Sequence, residues 1–488
     1  MNGEALKKDG HLMLDYISNY WENLRDLAPL HNVEVGYLTS EGVLPSEAPD
    51  KPDTLEDILR DVDKHIIPGN TQWQHPNFHA YFASSCSYPS ILADMLCGAI
   101  ACIGFTWNSS PACSELEVVM LNWLGKLLKL PESFLNIPGQ PGGGVLQSTA
   151  SDATLVALLA ARTQKLKEVD PSKEFLGLID KLVCYASDQS HSSVERAALI
   201  GHVQMRLLPP DDKYSLRGET LQKAIEKDKK EGLIPFYVAA TVGTTGLCGF
   251  DNLVELGNIC NKERIWLHID AAYAGSAAIC PEYRHIIDGV ELADSFNFNP
   301  HKWMMVNFDC SAMWMKDYYM VADAFSVEPL YLQHKHDQSF VDFRHLQIPL
   351  GRRFKSLKLW FVFRLLGVEA LQQNIRNQIA LAKEFEELVK GDRQYEIIGE
   401  VTLGLVCFRL KASNELNITL NDYINDVDRR IHITPSKVND TYYLRLAICS
   451  TKTTSEDIHL AWQVVQECAE IVRRKCPTLC NGASKCDR

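Results

Sequence analysis

Two short runs carry the residues best suited to chemistry. The first, His268-Ile269-Asp270-Ala271-Ala272-Tyr273-Ala274-Gly275, puts a carboxylate at the end of an apolar strand, where a charge is costly unless it meets a partner. The second, Asn297-Phe298-Asn299-Pro300-His301-Lys302-Trp303, sets a lysine directly after another strand. A lysine amine can hold an aldehyde as an imine, and a carboxylate can keep a pyridine nitrogen protonated so that its ring accepts electrons. Taken singly, Asp270 is an ordinary strand-end cap and Lys302 an exposed loop cation. Taken together and in this order, they point to pyridoxal phosphate chemistry.

A cofactor phosphate needs a cradle. Gly142-Gly143-Gly144 is followed by Ser148-Thr149-Ala150-Ser151-Asp152-Ala153 at the start of an apolar helix. Backbone N–H groups and small hydroxyls at a helix N-terminus form an anion site. Such loops and Ser caps are common, so this run draws its weight from the lysine and the carboxylate downstream. His191, in Ser187-Asp188-Gln189-Ser190-His191-Ser192-Ser193, would by itself be a core histidine as readily as a functional one.

Together these motifs resemble the group II pyridoxal-phosphate-dependent decarboxylases, over most of the chain. The likeness is strongest to the aromatic-amino-acid branch of animals, through Leu92-Ala93-Asp94-Met95-Leu96-Cys97-Gly98-Ala99-Ile100 and Phe296-Asn297-Phe298-Asn299-Pro300-His301-Lys302-Trp303. The resemblance implies a fold-type-I homodimer with pyridoxal 5'-phosphate at sites on the subunit boundary and N-terminal helices wrapped over the partner. It also implies roles. His191 would stack on the cofactor ring, Ala272 would lie against the other face, Thr245 would sit near the imine end, and Ala150, Ser151 and Asn299 would hold the phosphate. Tyr331, in Glu328-Pro329-Leu330-Tyr331-Leu332, matches a loop tyrosine able to return a proton to the substrate carbon; the plainer alternative is an aromatic anchor for the loop.

Related aromatic acetaldehyde synthases carry Phe for that tyrosine or Asn for the stacking histidine, so a chain with both Tyr331 and His191 favours simple decarboxylation. Gly351 matches the aromatic decarboxylases, whereas histidine decarboxylases carry Ser there, and a larger side chain would narrow the space for a bulky ring. Against this, Val145-Leu146-Gln147-Ser148-Thr149 and Ser215-Leu216-Arg217-Gly218-Glu219 look more like histidine decarboxylase. Tyr81-Phe82-Ala83-Ser84-Ser85-Cys86 also departs from the usual Tyr-Phe-Pro-Thr-Ala; Ser84 keeps a hydroxyl for a ring substituent, but the lost proline frees the backbone. Trp73, Tyr81 and, from the other subunit, Ile103 and Phe105 would supply the apolar walls.

The expected activity is therefore decarboxylation of an aromatic L-amino acid (dopa, 5-hydroxytryptophan, tyrosine or tryptophan) to its amine. The alternatives are a histidine decarboxylase or acetaldehyde synthase on the same scaffold, and a silent cofactor-binding protein. Intact Lys302, Asp270, His191 and Tyr331 argue against the last.

The elements that must position these residues follow from hydropathy. Short apolar runs at Lys181–Tyr185, Gln204–Leu208, Pro235–Thr241, Ile265–Ile269, Ser295–Phe298 and Cys310–Met315 alternate with helices such as Ala153–Lys165 and Gly218–Glu231. That is the pattern of an α/β domain with a mostly parallel sheet, whose ligands sit at the C-terminal ends of strands. The expected division is an N-terminal helical dimerisation segment over 1–80, a large cofactor-binding domain over 81–373 with a mobile catalytic loop near 325–345, and a small α+β domain over 374–488. In that last part strands are expected at Leu403–Leu410 and Tyr442–Ile448, with a final helix at Ile458–Arg473.

The formal net charge of -13 argues against nucleic acid as a partner, because phosphate binding needs a concentrated basic surface. The N-terminus has no continuous apolar stretch of the kind a secretory signal needs, and no segment is long and apolar enough to span a bilayer. Ile91–Phe105 comes closest, but Asp94 interrupts it, and a buried helix is expected. Fifteen cysteines dispersed over 488 residues are consistent with reduced thiols and a cytoplasmic location. Cys476, Cys480 and Cys486 cluster without a histidine at zinc-ligand spacing, so no metal is expected.

Overall fold

A computed structural model describes residues 2–172, 177–327, 329–332 and 342–475, with Tyr331 described by its backbone alone. Loop residues His334, His336 and Asp337 and the three tail cysteines lie outside the described residues. The chain divides into two compact units. One takes Ser84–Ile379 with Gly399–Leu405, the other Met1–Ala83, Ala380–Ile398 and Val406–Arg488.

The first unit is built on a seven-stranded sheet: β1 (Gly143–Gln147), β2 (Leu182–Ser187), β3 (Gln204–Leu208), β4 (Ile234–Thr241), β5 (Trp266–Asp270), β6 (Ser295–Phe298) and β7 (Ser311–Met315). Their spatial order is β1-β7-β6-β5-β4-β2-β3. β3, β2, β4, β5 and β6 pair in parallel, and only β7 runs against its neighbours β6 and β1. The fold class expected from the sequence, an α/β unit with a mostly parallel sheet, is the one observed. Strands β2, β5 and β6 are buried along their whole length, as strands covered on both faces must be. The helix Ala150–Val169 turns Ala153, Val156, Ala157 and Ala160 into this core, where small side chains let it lie close to the sheet.

In the second unit lie β8 (Tyr395–Ile397), β9 (Leu405–Leu410), β10 (Thr434–Val438) and β11 (Thr441–Ala447), in the order β10-β11-β9-β8. β8 pairs antiparallel with β9, and β10 with β11. The helix Gly3–Glu22 buries none of its residues. Arg25, just beyond it, makes a two-pronged ion pair with the nearly buried Asp457 at 2.6 and 2.9 Å.

Three elements differ from the sequence expectation. The Gly142-Gly143-Gly144 run is not a cradle loop; its last two residues open β1. A Cβ on Gly144 would stand 2.9 Å from the Met313 carbonyl oxygen and 3.0 Å from the Trp314 ring, so contact with β7 demands glycine there, against its poor strand propensity. The short strands β8 and β10, with polar and proline-containing sequences, carry too little periodicity to be read. The helix Tyr88–Ile100 is not buried on all sides: Tyr88, Leu92, Met95, Leu96 and Ile100 form an exposed stripe at helical spacing.

Candidate active site

The residues singled out in the first unit follow the C-terminal ends of β1, β2, β4, β5 and β6. Asp270 ends β5 and is 3% exposed. In the sheet it lies opposite Thr241 of β4 on one side and Asn297 of β6 on the other. One carboxylate oxygen accepts the Ala272 amide at 3.0 Å; among the described residues no hydrogen bond reaches the other. Beneath it, burial pushes the fully enclosed His268 down to a pKa of about 4, against the pull of Asp270, and its Nδ1 is 2.8 Å from Ser295 Oγ. The floor thus sets the Asp270 carboxylate above a neutral imidazole.

Lys302 lies on the short helix Pro300–Trp303 that follows β6. The Asn299 amide donates to the Ala272 carbonyl at 3.0 Å, and the Lys302 amide donates to the Asn299 carbonyl at 2.9 Å, so the segment is tied to the end of β5. Trp303, next in the chain, is buried and stacks on Tyr273 with ring centroids 4.5 Å apart. Burial, reinforced by Lys302, drives His301 to a pKa of about 3. The imidazole next to Lys302 is therefore neutral.

His191 caps the helix Ser192–Gly201 after β2; its Nδ1 accepts the Ser193 amide at 3.2 Å and lies 2.8 Å from Ser193 Oγ. An accepting Nδ1 assigns the ring proton to Nε2. Surrounding protein atoms hold its pKa below the ordinary value; Asp270 pulls it up, while Lys302 and Arg196 add to the depression. The three groups therefore share one electrostatic neighbourhood, and His191 presents a neutral ring with an exposed surface. At the end of β1, Thr149 and Asp152 form a reciprocal capping box on the helix Ala150–Val169. That box satisfies the third amide and leaves those of Ala150 and Ser151 at the dipole's positive end.

These residues fit pyridoxal 5'-phosphate on observations independent of any motif. Among the described residues, the buried side-chain amide of Asn297 and the Oδ1 of Asn299 make no hydrogen bond of good geometry, and a hydrogen bond reaches only one Asp270 oxygen. Buried polar atoms are seldom left so. A protonated ring nitrogen would meet Asp270, and a phosphate would meet the free amides of Ala150 and Ser151.

Thr245 is exposed on the turn after β4. This turn depends on a residue the sequence reading missed. Asp251 is buried and takes the Thr241 amide at 2.7 Å and the Leu216 amide at 2.8 Å, and its burial raises its pKa to about 7. A lone acid in Gly249-Phe250-Asp251 gives no signal of this, because its partners are backbone amides set by the fold.

On the substrate side, the Ser85 amide donates to the His301 carbonyl at 2.7 Å, which fixes Ser84 beside the Lys302 segment. Gly351, Ile103 and Phe105 form a set of their own: a Cβ on Gly351 would lie 3.7 Å from Ile103, and the Phe105 carbonyl accepts the Arg344 amide at 3.3 Å. Ile103 is 55% exposed. Trp73 and Tyr81 belong to the other unit, where they stack with centroids 5.5 Å apart. Tyr81 has φ +61°, a left-handed conformation costly for a side chain of that size. The Tyr331 side chain lies outside the described residues; its backbone belongs to the short turn Leu330–Leu332.

Comparison with known proteins bears on the family of the chain. The family described as the pyridoxal-dependent decarboxylase conserved domain matches residues 36–411. An aromatic-L-amino-acid decarboxylase of Cavia porcellus is 55% identical over 479 residues, covering 97% of this chain and 99% of that protein. Among solved structures, a TDC of Oryza sativa with PLP and tryptamine superposes with a TM-score of 0.93 at 34% identity, over 96% of this chain and 99% of the other. A 4-hydroxyphenylacetaldehyde synthase of Rhodiola rosea gives 0.90 at 36% identity, again over 96% and 99%.

Proposed function

The chain belongs to the pyridoxal-dependent decarboxylase family, and from that premise we propose how its site works. It is a carboxy-lyase that uses pyridoxal 5'-phosphate to convert an aromatic L-amino acid to its amine and carbon dioxide. The observation that carries the site assignment is Asp270: a carboxylate buried at a strand end, hydrogen-bonded at one oxygen alone among the described residues, in the electrostatic reach of His191 together with Lys302.

Bound there, the cofactor supplies an electron sink for the bond to the departing carboxylate. Lys302 holds the aldehyde end. Asp270 would keep the ring nitrogen protonated, and among the described residues no other donor claims its second oxygen. His191 would stack its neutral ring on the cofactor and Ala272 would lie against the other face. Ala150, Ser151 and Asn299 would hold the phosphate, and Thr245 would lie by the aldehyde end. Tyr331 returns a proton to the substrate carbon after carbon dioxide has left. Trp73, Tyr81, Ser84, Ile103, Phe105 and Gly351 shape the substrate pocket.

The working form we propose is a homodimer with Ile103 and Phe105, and with them Gly351 beside Ile103, supplied across the boundary. The exposed stripe of Tyr88, Leu92, Met95, Leu96 and Ile100 is followed three residues on by exposed Ile103, and an apolar surface of that kind is what a second copy would cover. A cytoplasmic location is supported by the cysteines, all of which are free thiols among the described residues. No described helix is long and apolar enough to cross a membrane.

The test is to incubate the purified holoenzyme with dopa, 5-hydroxytryptophan, tyrosine, tryptophan and histidine, and to identify amine, aldehyde and peroxide. Amines from the aromatic substrates are expected. Turnover of histidine alone, or aldehyde with peroxide as the main product, would replace this reading with one of its two alternatives.

A further inference from the structure

Behind Gly351 lies a buried polar network to which the reaction assigns no role. Gln347 is 6% exposed, and its side-chain amide donates to three successive carbonyls: Pro349, Leu350 at 3.5 Å and Gly351 at 3.4 Å. Its Oε1 accepts from Arg352 Nη1. Arg352 Nη2 donates to Glu117 Oε1 and, at 3.4 Å, to the Leu146 carbonyl, while the same Glu117 oxygen accepts the Leu146 amide at 2.7 Å. The Arg352 and Glu117 side chains are 2% and 1% exposed, and the guanidinium lies over the Phe343 ring at 4.9 Å.

An ion pair so deeply buried adds little net stability, because desolvation offsets the attraction; what it does supply is a single geometry. That geometry is useful here because of what hangs on it. Leu146 belongs to β1, the strand that runs into the phosphate-binding turn. The Arg352 carbonyl accepts the Gly104 amide at 3.1 Å, so the residue that orients Gln347 also fixes the neighbour of Ile103. Both sides of the gap between Gly351 and Ile103 are thereby referenced to the strand that leads to the cofactor.

We propose that Gln347, oriented by Arg352 and Glu117, is a specificity-positioning residue: it holds the Pro349–Gly351 turn at the height that leaves room for an aromatic ring beside Ile103. This rests on the reading of Gly351 as a pocket residue and deepens it. Gln347 touches neither substrate nor cofactor in this account; it acts through the turn.

The test compares Gln347→Glu and Gly351→Ser in the holoenzyme. Gln347→Glu retains the acceptor for Arg352 but replaces the donor to three carbonyls with a carboxylate that repels them. Gln347→Met removes the same donors without a new charge and serves if the buried carboxylate prevents folding. The expected result is a rise of about tenfold in KM for the bulky aromatic substrates, with kcat and cofactor absorbance close to those of the parent and a smaller rise for histidine. A merely structural role would instead lower thermal stability and scale all substrates alike, and that outcome in both Gln347 variants overturns the inference. If Gly351→Ser shifts the substrate ratio and neither Gln347 variant does, the positioning role falls alone. If Gly351→Ser leaves the ratio unchanged, the pocket reading falls and the positioning role with it.

Discussion

The ends of β5 and β6 and the rim that carries Gly351 and Ile103 are built on opposite terms. At the strand ends Asp270, Asn297 and Asn299 are buried and joined by backbone hydrogen bonds, and Lys302 directly precedes the buried Trp303, which stacks on Tyr273. At the rim Ile103 is exposed, Gly351 offers no side chain, and position is borrowed from a network behind the turn. Chemistry common to all substrates needs groups that do not move, and a sheet supplies them. Substrate choice can sit on loops, which vary without disturbing the sheet. Substitutions at the strand ends should therefore abolish turnover for every substrate, and substitutions at the rim should redistribute it.

The largest effect is expected at Lys302. Lys302→Ala should remove the visible absorbance of covalently held cofactor together with all turnover. A borohydride-reducible linkage that survives in this variant would show the lysine to be misassigned. Asp270→Asn should be the next largest: the Asn side chain can still accept the Ala272 amide, so the fold should survive, but an amide cannot hold a protonated ring nitrogen as a carboxylate does. Bound cofactor with kcat lowered on the order of 10²–10³-fold is the expected outcome. Near-normal turnover would reduce Asp270 to a strand cap and erase the contrast between floor and rim.

The same contrast governs what could be read in the sequence. The strands that end at Asp270 and lead to Lys302 are legible because they are continuous apolar runs, and the two residues stand out as candidates because the proposed chemistry demands those types at consecutive strand ends. Strand β1 was not, because contact with Met313 and Trp314, far along the chain, overrides the low strand propensity of Gly143 and Gly144. Asp251 and Gln347 were hidden for a related reason: each works by hydrogen bonds to main-chain groups that only the tertiary structure brings to it. The exposed stripe of the helix Tyr88–Ile100 looked like a core helix because apolar spacing is the same whether the cover is the chain itself or another copy.

Tyr331 should give a change in product rather than a loss of turnover. With a phenol in reach the substrate carbon is protonated and amine is released; without it that carbon is left to molecular oxygen. Tyr331→Phe should keep cofactor absorbance and carbon dioxide release while moving the product from amine toward aldehyde, ammonia and peroxide. Amine as the dominant product at close to the parent rate would leave the tyrosine as a loop anchor and place the proton donor elsewhere.

The smallest effect is expected at Gly351, and its size follows from the space around it. Among the described residues, and apart from its chain neighbours, the only atom within 4 Å of an added Cβ is Ile103 Cγ2 at 3.7 Å, an ordinary van der Waals distance. Serine should therefore enter without strain, and its stability cost should stay within about 0.5 kcal/mol, as for substitutions that touch no packed neighbour. What it occupies is open volume beside the Ile103 side chain, where a bulky ring would have to fit. A pocket change of this kind is worth about 1–3 kcal/mol, so Gly351→Ser should lower kcat/KM for the aromatic substrates by roughly 10-fold or more relative to histidine, and abolish neither activity. The measurement is the ratio of the two kcat/KM values, with thermal stability followed alongside. Equal losses for all substrates at unchanged stability would mean that the space beside Ile103 is not where the ring goes, and substrate choice would then have to be sought in the stacked Trp73 and Tyr81.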